Sequence, residues 1–234
     1  MKIKHWIPNI FTLGNLVLGF TSITFIVKGN YNTSALLILF AMVLDGLDGR
    51  VARKFSISSE LGKELDSLCD LVSFGIVPAL LIYQMSFKNF GIFGLLAAVI
   101  FPVCGAFRLA RFNLQKSLGY FTGLPITVAG GTVISMVLSD KNLDMPVYIP
   151  VILGLSALMI SNIKYPNFKG VSRAQGLKLF ALASLTALII AFKSNPGQMI
   201  FLYHAGYVLS GIVMLILKQA EGRLNPIVER IIGK

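Results

Sequence analysis

The sequence predicts an all-α, polytopic membrane protein with about eight transmembrane helices, and three observations lead there. Hydrophobic residues make up 55% of the 234 and charged residues only 13%, whereas soluble domains carry about 25% charged residues. Eight stretches approach the ~20 apolar residues that a spanning helix needs: 10–27, 33–49, 65–83, 90–107, 121–138, 146–161, 178–192 and 199–217. The basic residues are also unevenly placed. With eight spans, the termini and the even-numbered loops share one side, which holds seventeen of the 21 Lys and Arg, and the other side holds only Lys28, Lys88, Lys141 and Lys193. By the positive-inside rule both termini are then cytoplasmic, in a multi-pass protein of the cell membrane.

The elements follow in order. Residues 1–8 form an interfacial segment with Trp6 at headgroup depth, and Pro8 suits the first turn of span one. Lys2, Lys4 and His5 before an apolar run could announce a signal peptide. No small-residue cleavage site follows Ile26, however, and seven more apolar stretches do. A transmembrane core occupies residues 9–161. The polar stretch Asn162 to Gly176 separates six N-terminal spans from two C-terminal ones, so residues 162–234 comprise this loop, two further helices and a cytoplasmic tail. Spans six and seven are short, and a merged or re-entrant pair there would leave six or seven crossings. Cys69 and Cys104 fall in different apolar stretches and read as buried small hydrophobes, and His204 reads as a packed histidine. The net charge of +11 is explained by topology, and no aromatic residues interleave a basic groove, so nucleic acid is not an expected partner.

Chemistry concentrates in one place. Six of the ten acidic residues lie between positions 45 and 70: Asp45, Asp48, Glu60, Glu64, Asp66 and Asp70. Apolar runs precede Asp45 and follow Asp70, and ionised groups so placed usually mark a site, a pathway or a tight pair. Asp45, Asp48 and Ala52 share one helix face at i, i+3 and i+7; Gly62, Asp66 and Asp70 share another at i, i+4 and i+8. Two helix ends joined by the turn Lys54 to Leu61 could aim four carboxylates at one point. Like charges that close repel, and a divalent cation removes the conflict. An all-oxygen donor set suits Mg²⁺ or Mn²⁺ rather than Zn²⁺. A proton or cation pathway is the alternative from a different class. Transporters tend to repeat such features in both halves, and here the later spans have no counterpart.

The run Asp45-Gly46-Leu47-Asp48-Gly49-Arg50-Val51-Ala52-Arg53, followed by Gly62-Lys63-Glu64-Leu65-Asp66-Ser67-Leu68-Cys69-Asp70, resembles the signature of the CDP-alcohol phosphatidyltransferases. That pattern is D-x2-D-G-x2-A-R-x8-G-x3-D-x3-D, and every fixed position and gap agrees. The resemblance implies that Asp45, Asp48 and Asp66 hold one or two divalent metals. Asp70 would complete the shell and act as general base on the incoming alcohol. It also implies that Gly49, Ala52 and Gly62 leave room for the nucleotide, and that Arg53 stabilises the helix ends or the diphosphate. Pro8-Asn9-Ile10-Phe11-Thr12 resembles a less specific family element near the nucleotide, which brings in Asn9 and Thr12; ordinary hydrogen bonds at a helix start account for those two residues equally well. Relatives are often homodimers, and Gly and Ala in spans three to five suit helix contacts.

Further elements resemble the serine-using branch of that family, the phosphatidylserine synthases: Asp70 to Ala79, Phe107 to Asn113, Phe121 to Pro125, and Ser56 after Arg53. The implied substrates are CDP-diacylglycerol and L-serine, with CMP released and the lipid product kept in the membrane. Serine is a zwitterion, and its carboxylate needs a cation or oriented N–H groups. Arg108 and Arg111 at the cytoplasmic end of span four could supply one, or could bind the lipid phosphate. Glycerol 3-phosphate or inositol as acceptor, or an archaeal CDP-lipid as donor, would use the same chemistry.

Overall fold

The computed structural model describes residues 6–55, 59–114, 120–139, 145–166 and 196–232. Helix α1 runs Trp6–Val27 and α2 Tyr31–Phe55. Pro8 falls in the first turn of α1, where its missing N–H leaves no bond unmade. The turn between them is local chemistry. Gly29 adopts φ 73, which lets the Asn30 N–H reach the Phe25 carbonyl at 2.9 Å and close the end of α1. The Asn30 side chain then accepts from the Thr33 N–H at 3.3 Å and starts α2. The two helices pack antiparallel, with a Ser22–Ser34 hydroxyl pair 2.7 Å apart between them.

Helix α3, Glu60–Asp70, is capped by Ser59, whose Oγ accepts from the Gly62 N–H at 3.0 Å. It continues into a π-helical stretch, Leu71–Ile76, then α4, Val77–Ile82, and a last irregular helical run to Phe90. The chain reverses at Gly91, φ 55, into α5, Gly91–Leu114. A side chain on Gly94 would collide with the Phe87 backbone, which shows how closely the two arms of this hairpin approach. Helix α6, Ile126–Ser139, is buried along almost its whole length; α7, Met145–Ile160, lies against α5; and α8, Pro196–Ile232, lies against α6. Gly130 lets α6 touch the Phe74 backbone within the π-helical stretch, and Gly131 lets it touch the ring of His204 on α8. His204 is a packed residue, buried and bonded through Nδ1 to the Ile200 carbonyl at 2.7 Å.

One departure from the expected spans is a short antiparallel ribbon. β1, Tyr120–Thr122, pairs with β2, Lys164–Pro166, in the register Phe121↔Tyr165. Span five was expected from residue 121, but its helix starts at Ile126, because Tyr120 to Thr122 find backbone partners in the segment after α7. Seven of the eight expected stretches coincide with described helices; the seventh, 178–192, lies outside the described residues.

The distribution of polarity is compatible with a membrane protein. Thr12, Asn15, Ser22, Ser34, Asp48, Asp70, Ser73 and Arg108 are buried, while Val17, Phe20, Phe40, Phe93, Leu96 and Phe107 are exposed. In water such an apolar exterior would drive association. Two described helical stretches, Asn9–Val27 and the composite Glu60–Leu114, are long and apolar enough to cross a membrane.

Candidate active site

Helical periodicity brings Asp45 and Asp48 to one side of α2, and Asp66 and Asp70 to one side of α3. The fold then sets these faces against each other and against α1. One oxygen from each of Asp45, Asp48 and Asp66 lies within 4.8 Å of the other two. Oxygens bound to one divalent cation at ~2.0–2.6 Å fall within such a spread. Asp66 Oδ1 is buried and has no hydrogen-bond partner, an acceptor that a cation would satisfy. The donor set contains oxygen alone. The residues present therefore fit a divalent metal.

Asp70 stands beside this triad, only 8% exposed. Its Oδ1 accepts from Asn15 Nδ2 at 3.3 Å. Asp48 Oδ2 accepts from Thr12 Oγ1 at 3.0 Å. Helix α1 thus donates to one carboxylate from each of the other two helices, from residues one turn apart. Ser73 Oγ donates to the Asn15 carbonyl at 3.1 Å, and Gly19 sits so close to Ser73 that a methyl group there would clash. The widened π turn that follows Asp70 is locked on α1 by these contacts; such turns recur at functional sites.

The other expected site residues separate into groups. Gly62 abuts Asn9: a Cβ on Gly62 would stand 3.2 Å from Asn9 Oδ1. Gly49 is half-buried next to Asp48 on α2. Ala52 and Arg53 continue α2, with side chains outside the described set, and Ser56 lies outside the described residues. The two arginines differ in surroundings. Arg108 is 7% exposed, lies over the Phe112 ring at 5.1 Å, and is close enough to Asp70 and Asp45 for charge interaction; its Nε is buried and unpartnered. Arg111 turns away. Its guanidinium donates to the carbonyls of Ile160, Thr122, Met159 and Ser161 at 2.9–3.2 Å and to Asn162 Oδ1 at 3.3 Å. It fastens the end of α7 to β1. Asn113 ties α5 to α3 by donating to Ser67 Oγ at 3.0 Å and Glu64 Oε1 at 3.3 Å.

Comparison with known proteins agrees with this geometry. The sequence model of the CDP-alcohol phosphatidyltransferases matches residues 5–217. The chain belongs to the CDP-alcohol phosphatidyltransferase family. Among curated members, it is 35% identical over 218 residues to a CDP-diacylglycerol–serine O-phosphatidyltransferase of Helicobacter pylori, covering 89% of this chain and 90% of that one. It is 37% identical over 171 residues to the protein of the same name from Bacillus subtilis, covering 70% of this chain and 92% of that one. It is also 37% identical over 168 residues to an archaetidylserine synthase of Methanothermobacter thermautotrophicus, covering 70% and 71%. Family membership sets the transporter alternative aside.

Sequence reasoning missed Asn15 and Ser73 as parts of the site. The signal for Asn15 was present: Thr12, Asn15, Gly19 and Ser22 recur every three or four residues along an otherwise apolar helix, which marks a polar face turned inward.

Proposed function

We propose that this chain transfers the phosphatidyl group of CDP-diacylglycerol to the hydroxyl of L-serine, giving phosphatidylserine and CMP. The observation that carries the reading is the convergence of Asp45, Asp48 and Asp66 within 4.8 Å beside Asp70, in a chain whose relatives are named for serine transfer.

Asp45, Asp48 and Asp66 would hold Mg²⁺ or Mn²⁺, with Asp70 at the edge of the shell. A bound cation neutralises the diphosphate and the charge that develops on departing CMP. Asp70 takes the proton from the serine hydroxyl, a poor nucleophile until it is deprotonated. The oxygen then attacks the lipid-bearing phosphorus, and the bond from that phosphorus to CMP breaks. The small residues Gly49, Ala52 and Gly62 leave space for the nucleotide, with Asn9, Thr12 and Arg53 around it. Arg108, buried with a free Nε, suits the serine carboxylate better than Arg111, whose donors are engaged by backbone. A cytoplasm-facing site in an eight-span protein would admit serine from water and release CMP to it while the acyl chains stay in the bilayer.

The test is CMP release by purified protein with CDP-diacylglycerol, comparing L-serine, glycerol 3-phosphate and inositol. Release with serine alone supports the reading; release with another acceptor keeps the chemistry and replaces the substrate. The archaeal relative supports a second reading in which serine stays and the donor carries an ether-linked archaeal lipid. Comparing the two CDP-lipids at equal concentration separates them.

A further inference from the structure

Asn15 lies in the middle of α1 and is wholly buried. An amide in such a place costs stability unless its polar atoms are bonded. Half of this one is bonded. Nδ2 donates to Asp70 Oδ1, while Oδ1 is buried with no partner. The NH2 faces Asp70, which leaves the side-chain carbonyl turned away from it. Ser73 Oγ bonds the backbone carbonyl of Asn15 and Gly19 packs on Ser73, which fixes this part of α1 against the π-helical stretch. A second unpaired buried atom is the Nε donor of Arg108, whose guanidinium is close enough to Asp70 for charge interaction.

Asn15, bonded to Asp70, thus has one lone acceptor, and Arg108 has one lone donor. Their complement is a small alcohol bearing both an ammonium and a carboxylate next to its hydroxyl carbon. A phosphate-bearing alcohol or a polyol offers Asn15 only a neutral hydroxyl donor, whereas an ammonium makes the stronger charge-assisted bond. We infer that Asn15 is a positioning and specificity-determining residue: its NH2 fixes Asp70 toward the acceptor hydroxyl, and its carbonyl accepts an N–H from the acceptor's ammonium. The inference rests on the serine reading above and deepens it, since buried polar groups left unpaired are what allow a site to reject an analogue.

The experiment compares L-serine with 3-hydroxypropionate, which is serine without its amine, in the detergent-purified full chain. Asn15→Leu keeps the side-chain size and removes both polar atoms. For wild type, kcat/KM for serine is expected to exceed that for 3-hydroxypropionate by about tenfold to a hundredfold, the range set by one unmade buried hydrogen bond. In Asn15→Leu the two values should come within about threefold, with serine KM raised, kcat lowered and the KM for CDP-diacylglycerol unchanged. A purely structural role would lower both acceptors alike, so a wild-type ratio in the variant overturns the inference. If Asn15→Leu does not fold, Asn15→Ser, too short to reach either partner, is read the same way. A wild-type protein that ignores serine overturns the functional reading itself, and the inference falls with it.

Discussion

Thr12 Oγ1 donates to Asp48 Oδ2 at 3.0 Å, joining α1 to α2 inside the carboxylate cluster. A hydroxyl that bonds one oxygen of a ligating carboxylate steers the other toward the metal. Removing such outer contacts typically costs 10–100-fold in metal affinity or activity. Thr12→Val should therefore raise the Mn²⁺ or Mg²⁺ concentration for half-maximal CMP release by about tenfold or more, and Thr12→Ser should restore it. A metal titration checks this, and an unchanged midpoint for Thr12→Val would show that the contact does not tune the site.

Asp70→Asn keeps the shape of the side chain and removes the base. Turnover should fall by about 10²–10⁴-fold, the usual contribution of a placed base, while the protein stays folded and still binds CDP-diacylglycerol. Steady-state kinetics and a lipid-binding assay together test it; wild-type turnover would remove Asp70 from that role.

The two arginines should give opposite phenotypes. Arg108→Ala should raise serine KM without much change in thermal stability. Arg111→Ala removes donors to four backbone carbonyls and Asn162. Hydrogen bonds from a charged group are worth about 1.5–3 kcal/mol, so its melting temperature should drop by several degrees while the KM of surviving protein stays near normal. Thermal unfolding and acceptor kinetics on both variants decide the matter.

The clustering of the carboxylates was legible in the sequence because helical periodicity converts spacing into a shared face: Asp45 with Asp48, and Asp66 with Asp70, needed only helices to meet. Membrane character was legible for a similar reason, since composition and run length are local properties. Arg111 was less so. The positive-inside rule explains any arginine at a cytoplasmic helix end, and its acceptors lie mostly about fifty residues further on, where no local pattern announces them. The ribbon of Tyr120–Thr122 with Lys164–Pro166 escaped for the same reason, because its partners meet only after α6 and α7 have packed.

That ribbon makes a stability prediction. Gly123 ends β1 at φ 78, and a Cβ there would run into the Met159 carbonyl and the Arg111 guanidinium. A left-handed backbone costs an L-residue about 1–2 kcal/mol before any clash. Gly123→Ala should lower the melting temperature clearly, whereas Gly154→Ala, which meets nothing within 4 Å, should not. Equal melting temperatures would show that the turn is not under this constraint.

In the proposed reaction a carboxylate-held divalent cation and Asp70 together drive transfer to serine. Its most direct test is phosphatidylserine formation from CDP-diacylglycerol and L-serine by purified protein, measured before chelation, after EDTA, and after Mn²⁺ or Mg²⁺ is returned. Product and CMP should form in equal amounts, both should be lost with EDTA, and both should recover with metal in the wild type but not in Asp66→Ala. Undiminished product formation after complete chelation would contradict this mechanism.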